Sequence, residues 1–264
     1  METAADSLVE LRSRVEAVES EAALRRWSRA RAGAPRGGGR RRGEQGARRA
    51  RKRGAARRHL TRLLVRRDAL VAGGVDNVAG IDEVGVGPLA GPVVAAAVVL
   101  PGRVDLLGLD DSKRLRRAER ERLARAVRAQ CVAVGIGVVE VEEIDRLNIY
   151  HAALEAMRRA VVALCEHCQP GHLLVDARTV PGVDVAQTAV VHGDATDASI
   201  AAASIVAKVY RDELMQRLDE RYAGYGFARH MGYGTAQHLC ALRELGPTPI
   251  HRRSFAPVAE ALRA

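Results

Sequence analysis

Residues Val78–Leu100 read VAGIDEVGVGPLAGPVVAAAVVL, and the fold turns on this stretch. Two apolar runs, Val78–Ile81 and Val93–Leu100, enclose a segment rich in Gly and Pro. Runs of that length bounded by such residues are buried strands, and Gly85, Gly87 and Gly91 let the backbone turn sharply between them. Asp82 and Glu83 close the first run. Charge at the edge of a core is costly unless something neutralises it, so the pair calls for a partner. A solvated acidic turn is the plain alternative. A cation-binding pair is favoured because further acids recur in comparable settings.

Downstream the pattern alternates. Arg116–Gln130 is a charged amphipathic helix and Val132–Val141 a strand. Asp145–Cys168 holds a long helix with Ile149, Ala153, Met157, Val161 and Leu164 on one face. His172–Asp176 is a strand ending on an acid, and Val185–Val191 is a strand leading into Gly193-Asp194. Ala198–Tyr222 is a second long helix; Ala236–Leu245, among the breakers Pro247, Pro249 and Pro257, belongs to a smaller helical appendage. Strands and helices alternating in this way predict an α/β fold, a sheet with helices on both faces.

Ligand sites in such sheets form at strand ends, where Asp82, Glu83, Asp176 and Asp194 all fall. Carboxylates in one crevice repel and raise each other's pKa unless a cation neutralises them. Hard oxygen donors select Mg²⁺ or Mn²⁺. Two such ions activate a water and stabilise the leaving oxygen of a phosphodiester. Any one of these acids alone reads as a helix cap or surface residue, Asp194 above all. The constellation carries the signal.

Composition bounds the rest. The chain has 264 residues, 47% of them hydrophobic, but only two Phe and one Trp, so the core must be packed with Ala, Val and Leu. No stretch reaches the roughly 18 uncharged apolar residues of a membrane helix, and the N-terminus lacks the apolar region of a signal peptide. Four irregularly spaced cysteines read as reduced thiols in a cytosolic protein; Cys165 and Cys168, near His167 and His172, lack the second ligand pair of a structural zinc site. The net charge of +10 is concentrated. Arg25–Arg58 holds fourteen Arg, one Lys and one acid, so it carries +14, residues 1–24 carry −4, and the remainder sums to zero. With almost no large apolar residues, this segment reads as a disordered arm able to lie along phosphates by charge, or as a solubilising tail. Before it, Leu8, Leu11, Val15 and Val18 have the spacing of a short amphipathic helix.

The motifs resemble one family. AGIDEVGVGPLAGPV, DDSKRL at Asp110–Leu115, EEIDRLNI at Glu142–Ile149, LLVDA at Leu173–Ala177, GDATDASIAAASIVAKVYRD at Gly193–Asp212, HMGYGTAQHL and GPTPIHRRSFAPV are similar to type 2 ribonuclease H, ribonuclease HII, in family order from about Val75 to Val258. The resemblance implies a ribonuclease H-like mixed sheet with a C-terminal helical region from about residue 215, and an extension over residues 1–74. It implies a cytoplasmic monomer that cleaves RNA in RNA–DNA hybrids and at ribonucleotides embedded in duplex DNA, on their 5′ side, leaving 5′-phosphate and 3′-hydroxyl ends. The family's metal-binding, catalytic acids, holding two Mn²⁺ or Mg²⁺ ions, fall on Asp82, Glu83, Asp176 and Asp194. Its substrate contacts fall on Gly85, Val86, Gly87, Lys113, Ser204 and the junction-sensing Tyr233. A tyrosine suits that task because telling RNA from DNA means sensing the 2′-OH, and a ring packs on a sugar while its hydroxyl bonds a neighbour.

Two departures remove cations from the expected substrate face. The family's Gly-Arg-Gly is Gly85-Val86-Gly87 here, and its His-Lys-Gly-Tyr is His230-Met231-Gly232-Tyr233. Ala177 also stands where the family usually has Gly. These changes raise the alternative of a catalytically weakened or inactive nucleic-acid-binding homologue. A dinucleotide-binding reading fails, because Gly91 comes one residue too late for GxGxxG and Pro88 sits where a helix should open.

Overall fold

The structure is a computed structural model that describes residues 39–263, with the backbone alone for residues 39–45. The helix expected around Leu8–Val18 and the arm before residue 39 lie outside the described residues. The chain divides into two units, residues 1–55 and 56–264.

Of the first unit, the described part is the opening of a helix, α1, Gly39–Ala72. The disordered arm expected from charge is therefore corrected over residues 39–58. Arg and Ala are both strong helix formers, which the charge count alone hides. In the second unit Leu60 and Leu63, at helical spacing, are buried against an apolar cluster that includes Leu100, Leu106, Leu109 and Ala198. Leu70 packs near Val78 and Leu174. Arg67, also buried, donates to the carbonyls of Leu100 and Pro101. A boundary at residue 74/75 would cut this helix from the core it covers.

Five strands form one sheet: β1 Val78–Val84, β2 Val93–Val99, β3 Ala133–Val139, β4 His172–Asp176 and β5 Gln187–Val190, in the order β3-β2-β1-β4-β5. β1, β2 and β3 pair antiparallel; β1–β4 and β4–β5 are parallel. The mixed sheet with helices on both faces is thus as expected. β2 is buried along its whole length, and its residues alternate between two clusters, one on each face of the sheet.

The remaining helices are α2 Arg117–Gln130, α3 Val141–Leu147, α4 Ile149–Cys165, α5 Gly193–Thr196, α6 Ala198–Arg221, α7 Phe227–His230, α8 Ala236–Leu245 and α9 Ala256–Ala261. α4 covers one face with Ala153, Met157, Val161 and Leu164; α6 and α2 cover the other. The single helix expected over Asp145–Cys168 is two. Asn148, at φ 67°, breaks it and caps α4 by accepting from the amides of Tyr150 and His151.

A core poor in aromatics is filled by bringing backbones close. A methyl group built on Gly80 of β1 would strike the backbone of Ser199 and Ile200 in α6, and one on Gly137 would strike the backbone of Ala156 in α4. Glycine at these points lets each helix settle on the sheet, and the Ala-rich faces of α4 and α6 complete the fit. Among the described residues no helix is long and apolar enough to cross a membrane.

Candidate active site

The parallel pairing of β1 and β4 aligns Ile81 with Val175, so Asp82 and Asp176 follow side by side at the same end of the sheet. Glu83 is next along β1. Asp194 opens α5 directly after β5, and the amide of Gly193 donates to Asp176 Oδ1 at 2.7 Å. The strand ends therefore gather the four acids into one region, where they act on each other electrostatically. Burial, then the neighbouring Glu83 and Asp176, pushes Asp82 well above the usual carboxylate range. Burial likewise raises Glu83, against the pull of Arg178, and raises Asp176, with Asp194 adding to the effect.

Two cations draw this negative charge aside. Lys113 Nζ lies 3.2 Å from Asp194 Oδ2 and Arg178 Nη2 lies 3.5 Å from Glu83 Oε1. Burial works to lower Lys113, but the bond to Asp194 and its charge outweigh burial and hold the ammonium form up. With Asp194 and Glu83 so engaged, no three His, Cys, Asp or Glu side chains among the described residues are arranged to hold a metal ion as they stand. The donor set nonetheless fits hard divalent cations. It consists of carboxylate oxygens, those of Asp82, Glu83 and Asp176 disfavoured in their ionised form, and Glu83 Oε2 is buried without a hydrogen-bond partner.

Ser204 lies in α6 and is buried. Its hydroxyl pairs with Ser112 at 2.9 Å and hydrogen-bonds Asp82, so as it stands it orients an acid. The Lys113 side chain, next along from Ser112, is largely exposed and accessible from outside.

The glycine turn between β1 and β2 has Gly85 at φ +92°, a left-handed conformation, with Arg211 and the Pro92 carbonyl crowding the place of a side chain. A methyl group on Gly87 would stand 3.5 Å from the ring of Tyr233. The turn carrying Tyr233 docks here through the Leu89 amide, which donates to the Gly232 carbonyl at 2.8 Å. Tyr233 itself is 44% exposed, so its ring is available beside the turn. The two apolar replacements are partly buried: Val86 packs against the apolar cluster between the sheet and α4, and Met231 against the cluster that includes Met215 and Phe227. Ala177 sits at φ 50°, a conformation that favours glycine and explains the family's preference there.

Sequence reasoning missed what holds this turn. Arg211 and Arg252 are both fully buried, and neither has a salt bridge among the described residues. Arg211 donates to the carbonyls of Pro92, Ala90 and Met231 at 2.9–3.1 Å. Arg252 donates to Gly85, Val86 and Gly91 at 2.6–3.0 Å. A guanidinium fork matches such converging carbonyls better than any other side chain. The sequence offers a signal in the run His251-Arg252-Arg253, but nothing in that spacing says which arginine turns inward.

A family model described as Ribonuclease HII matches residues 79–258. A Ribonuclease HII of Geobacillus thermodenitrificans (strain NG80-2) is 55% identical over 208 residues, 79% of this chain and 79% of that protein. One of Anaeromyxobacter sp. (strain Fw109-5) is 55% identical over 205 residues, 78% of this chain but 64% of that protein, so the chain spans less than two thirds of this relative's length. Among solved structures, the ribonuclease H2 of Pyrococcus horikoshii OT3 superposes with a TM-score of 0.59 at 27% identity, covering 70% of this chain and 97% of that one.

Proposed function

The chain belongs to the ribonuclease HII family, and from that premise we propose that it is a divalent-metal-dependent endoribonuclease. Its substrates are RNA–DNA hybrids and duplex DNA with embedded ribonucleotides, which it cuts on the 5′ side of the ribonucleotide, acting as a cytoplasmic monomer. A nick with a 3′-hydroxyl beside the ribonucleotide suits its removal in DNA repair and replication. The observation that carries this reading is the register that sets Asp82 beside Asp176, with Glu83 and Asp194 adjoining and three of the four disfavoured in their ionised form.

These four acids would hold two Mn²⁺ or Mg²⁺ ions, which when bound supply an activated water and stabilise the departing 3′-oxygen. Ser204 keeps Asp82 in its orientation. Lys113 pairs with Asp194 and, with its side chain largely exposed, would be placed to meet a phosphate of the substrate were a metal ion to take up that carboxylate. The amides of the Gly85–Gly87 turn approach the sugar, and Tyr233 beside Gly87 packs on the ribose to sense its 2′-OH. The alternative of an inactive homologue has no observation in its favour: all four acids are present, and Val86 and Met231 pack against apolar clusters.

The test is nicking of a duplex containing one ribonucleotide, with Mn²⁺ or Mg²⁺ and with chelator. The wild type should nick only with metal. Asp176→Asn should lower turnover by more than about 100-fold, because losing even an outer partner of a metal ligand costs 10–100-fold, while the fold survives. Binding without nicking by the wild type would overturn the assignment.

A further inference from the structure

We propose that the part of α1 within the second unit, residues 56–72, is a second phosphate-binding surface, one that grips duplex nucleic acid flanking the cleavage point. This rests on the substrate class proposed above. Arg58, Arg62 and Arg66 stand at i, i+4 and i+8, one stripe along the helix, with Arg57 beside them; all four are exposed. Like charges at that spacing repel and weaken a helix, so the row works against local stability. The opposite face has a structural role already, with Leu60 and Leu63 in the core and Arg67 bonded to Leu100 and Pro101. The stripe has none of comparable depth.

Its position is what points to the ligand. His59 Nε2 lies 3.9 Å from Asp110 Oδ1, and Arg66 Nη1 lies 3.9 Å from Asp197 Oδ2. Asp110 is three residues before Lys113, which reaches Asp194; Asp197 is three residues after Asp194 and caps α6. The helix thus touches both segments that deliver residues to the acid cluster. A polyanion approaching four carboxylates is repelled by them, and an arginine stripe anchored to the same segments offsets that repulsion. Duplex DNA carries one charge per roughly 1.7 Å of axis, so a duplex longer than the active-site contact still has phosphates to meet the stripe. The two expected cations missing at Val86 and Met231 make an added phosphate contact the more useful.

The triple variant R57Q/R58Q/R62Q, made in the full chain, tests this, since glutamine keeps the helix and most of the stem. Arg66 and Arg67 are left in place as anchors. Binding to an all-DNA duplex is measured against salt, and nicking of one ribonucleotide is measured in a long and a short duplex. The slope of log affinity against log salt should flatten by about 2–3 units, at roughly 0.9 per lost phosphate contact. KM should rise about tenfold or more on the long duplex and little on the short one, with turnover at saturation and melting temperature retained. An unchanged salt slope would overturn the proposal and leave the stripe a solvated face. Equal losses on both lengths, or a fall in turnover at saturation, would overturn it as well. The all-DNA binding measurement needs no cleavage, so a wild type that fails to nick would refute the proposed activity without deciding this one.

Discussion

The strand ends and the glycine turn bury charge of opposite sign, and they resolve it in opposite ways. At the strand ends, four carboxylates share two cations, Lys113 and Arg178, and Glu83 Oε2 is left without a partner. Behind the turn, Arg211 and Arg252 form no salt bridge among the described residues, yet between them they donate to six backbone carbonyls. Burial lowers Arg211 to about 10 and, with Arg211 nearby, Arg252 to about 9. Both guanidinium groups remain charged at neutral pH. The difference separates a site open to an added cation from a scaffold that is already complete. One region is incomplete for the sake of chemistry; the other is closed for the sake of shape.

The largest effect expected on removing a buried charge is at the closed region. Arg252→Met keeps much of the volume but leaves the carbonyls of Gly85, Val86 and Gly91 unpaired. Unsatisfied buried groups cost about 1–3 kcal/mol each, so a loss of roughly 3 kcal/mol overall is expected. A domain of this size should then melt about 6–12 °C lower. Arg252→Lys should recover little, because an ammonium cannot fork toward separate carbonyls. If Arg252→Met melts like the wild type, the carbonyls find water and the scaffold is not closed.

At the open region the same operation should loosen nothing and instead sharpen the appetite for cations. Lys113→Met removes the ammonium from Asp194 and raises the net negative charge facing a metal. Titration calorimetry with Mn²⁺ or Mg²⁺ alone should show affinity rising several-fold, consistent with about 1 kcal/mol for a partly exposed ion pair. Nicking should fall, because the same lysine is proposed to meet a substrate phosphate. Metal affinity that drops instead would show that Lys113 organises the acids rather than competing for them.

How much of this was legible in the chain follows the same division. The acids could be read because strand ends and Gly-rich turns leave local marks, and Asp82, Glu83, Asp176 and Asp194 each sit on one. The sheet could be read from apolar runs such as Val93–Val99, although β5 proved shorter than Val185–Val191, keeping only Gln187–Val190. Arg211 and Arg252 could not be read, since their partners are backbone atoms and all but Met231, 20 residues on, lie 119 to 167 residues away. The surroundings of Ser204 were hidden for a related reason: a serine in a motif gives no hint that it also faces an acid and Ser112. The helix over residues 39–72 was obscured by its own charge, which outweighed the sparse pattern of Leu60, Leu63 and Leu70.

The smallest effect concerns a charge that the closed region refuses. His251, adjacent to Arg252, is fully buried, and burial together with His238 lowers it to about 4. The bonds around it define the tautomers. The Thr248 amide donates to His251 Nδ1 at 2.9 Å, so the proton of His251 is on Nε2, facing His238 Nε2 at 3.0 Å. His238 must then carry its proton on Nδ1, 2.9 Å from the Tyr233 carbonyl. The relay therefore runs from Thr248 to the backbone of Tyr233 with both rings neutral, and a further proton would set two donors against each other. Because the folded value lies below the ordinary 6.5, the unfolded chain binds the proton first. Stability contributed by the neutral pair is complete above about pH 6.5 and is lost as pH falls from there toward 4. The melting temperature should decline across that window, and His251→Gln, even if less stable throughout, should show a shallower decline. An equally steep slope in the variant would assign the acid sensitivity elsewhere and remove His251 from the account of how Tyr233 is held.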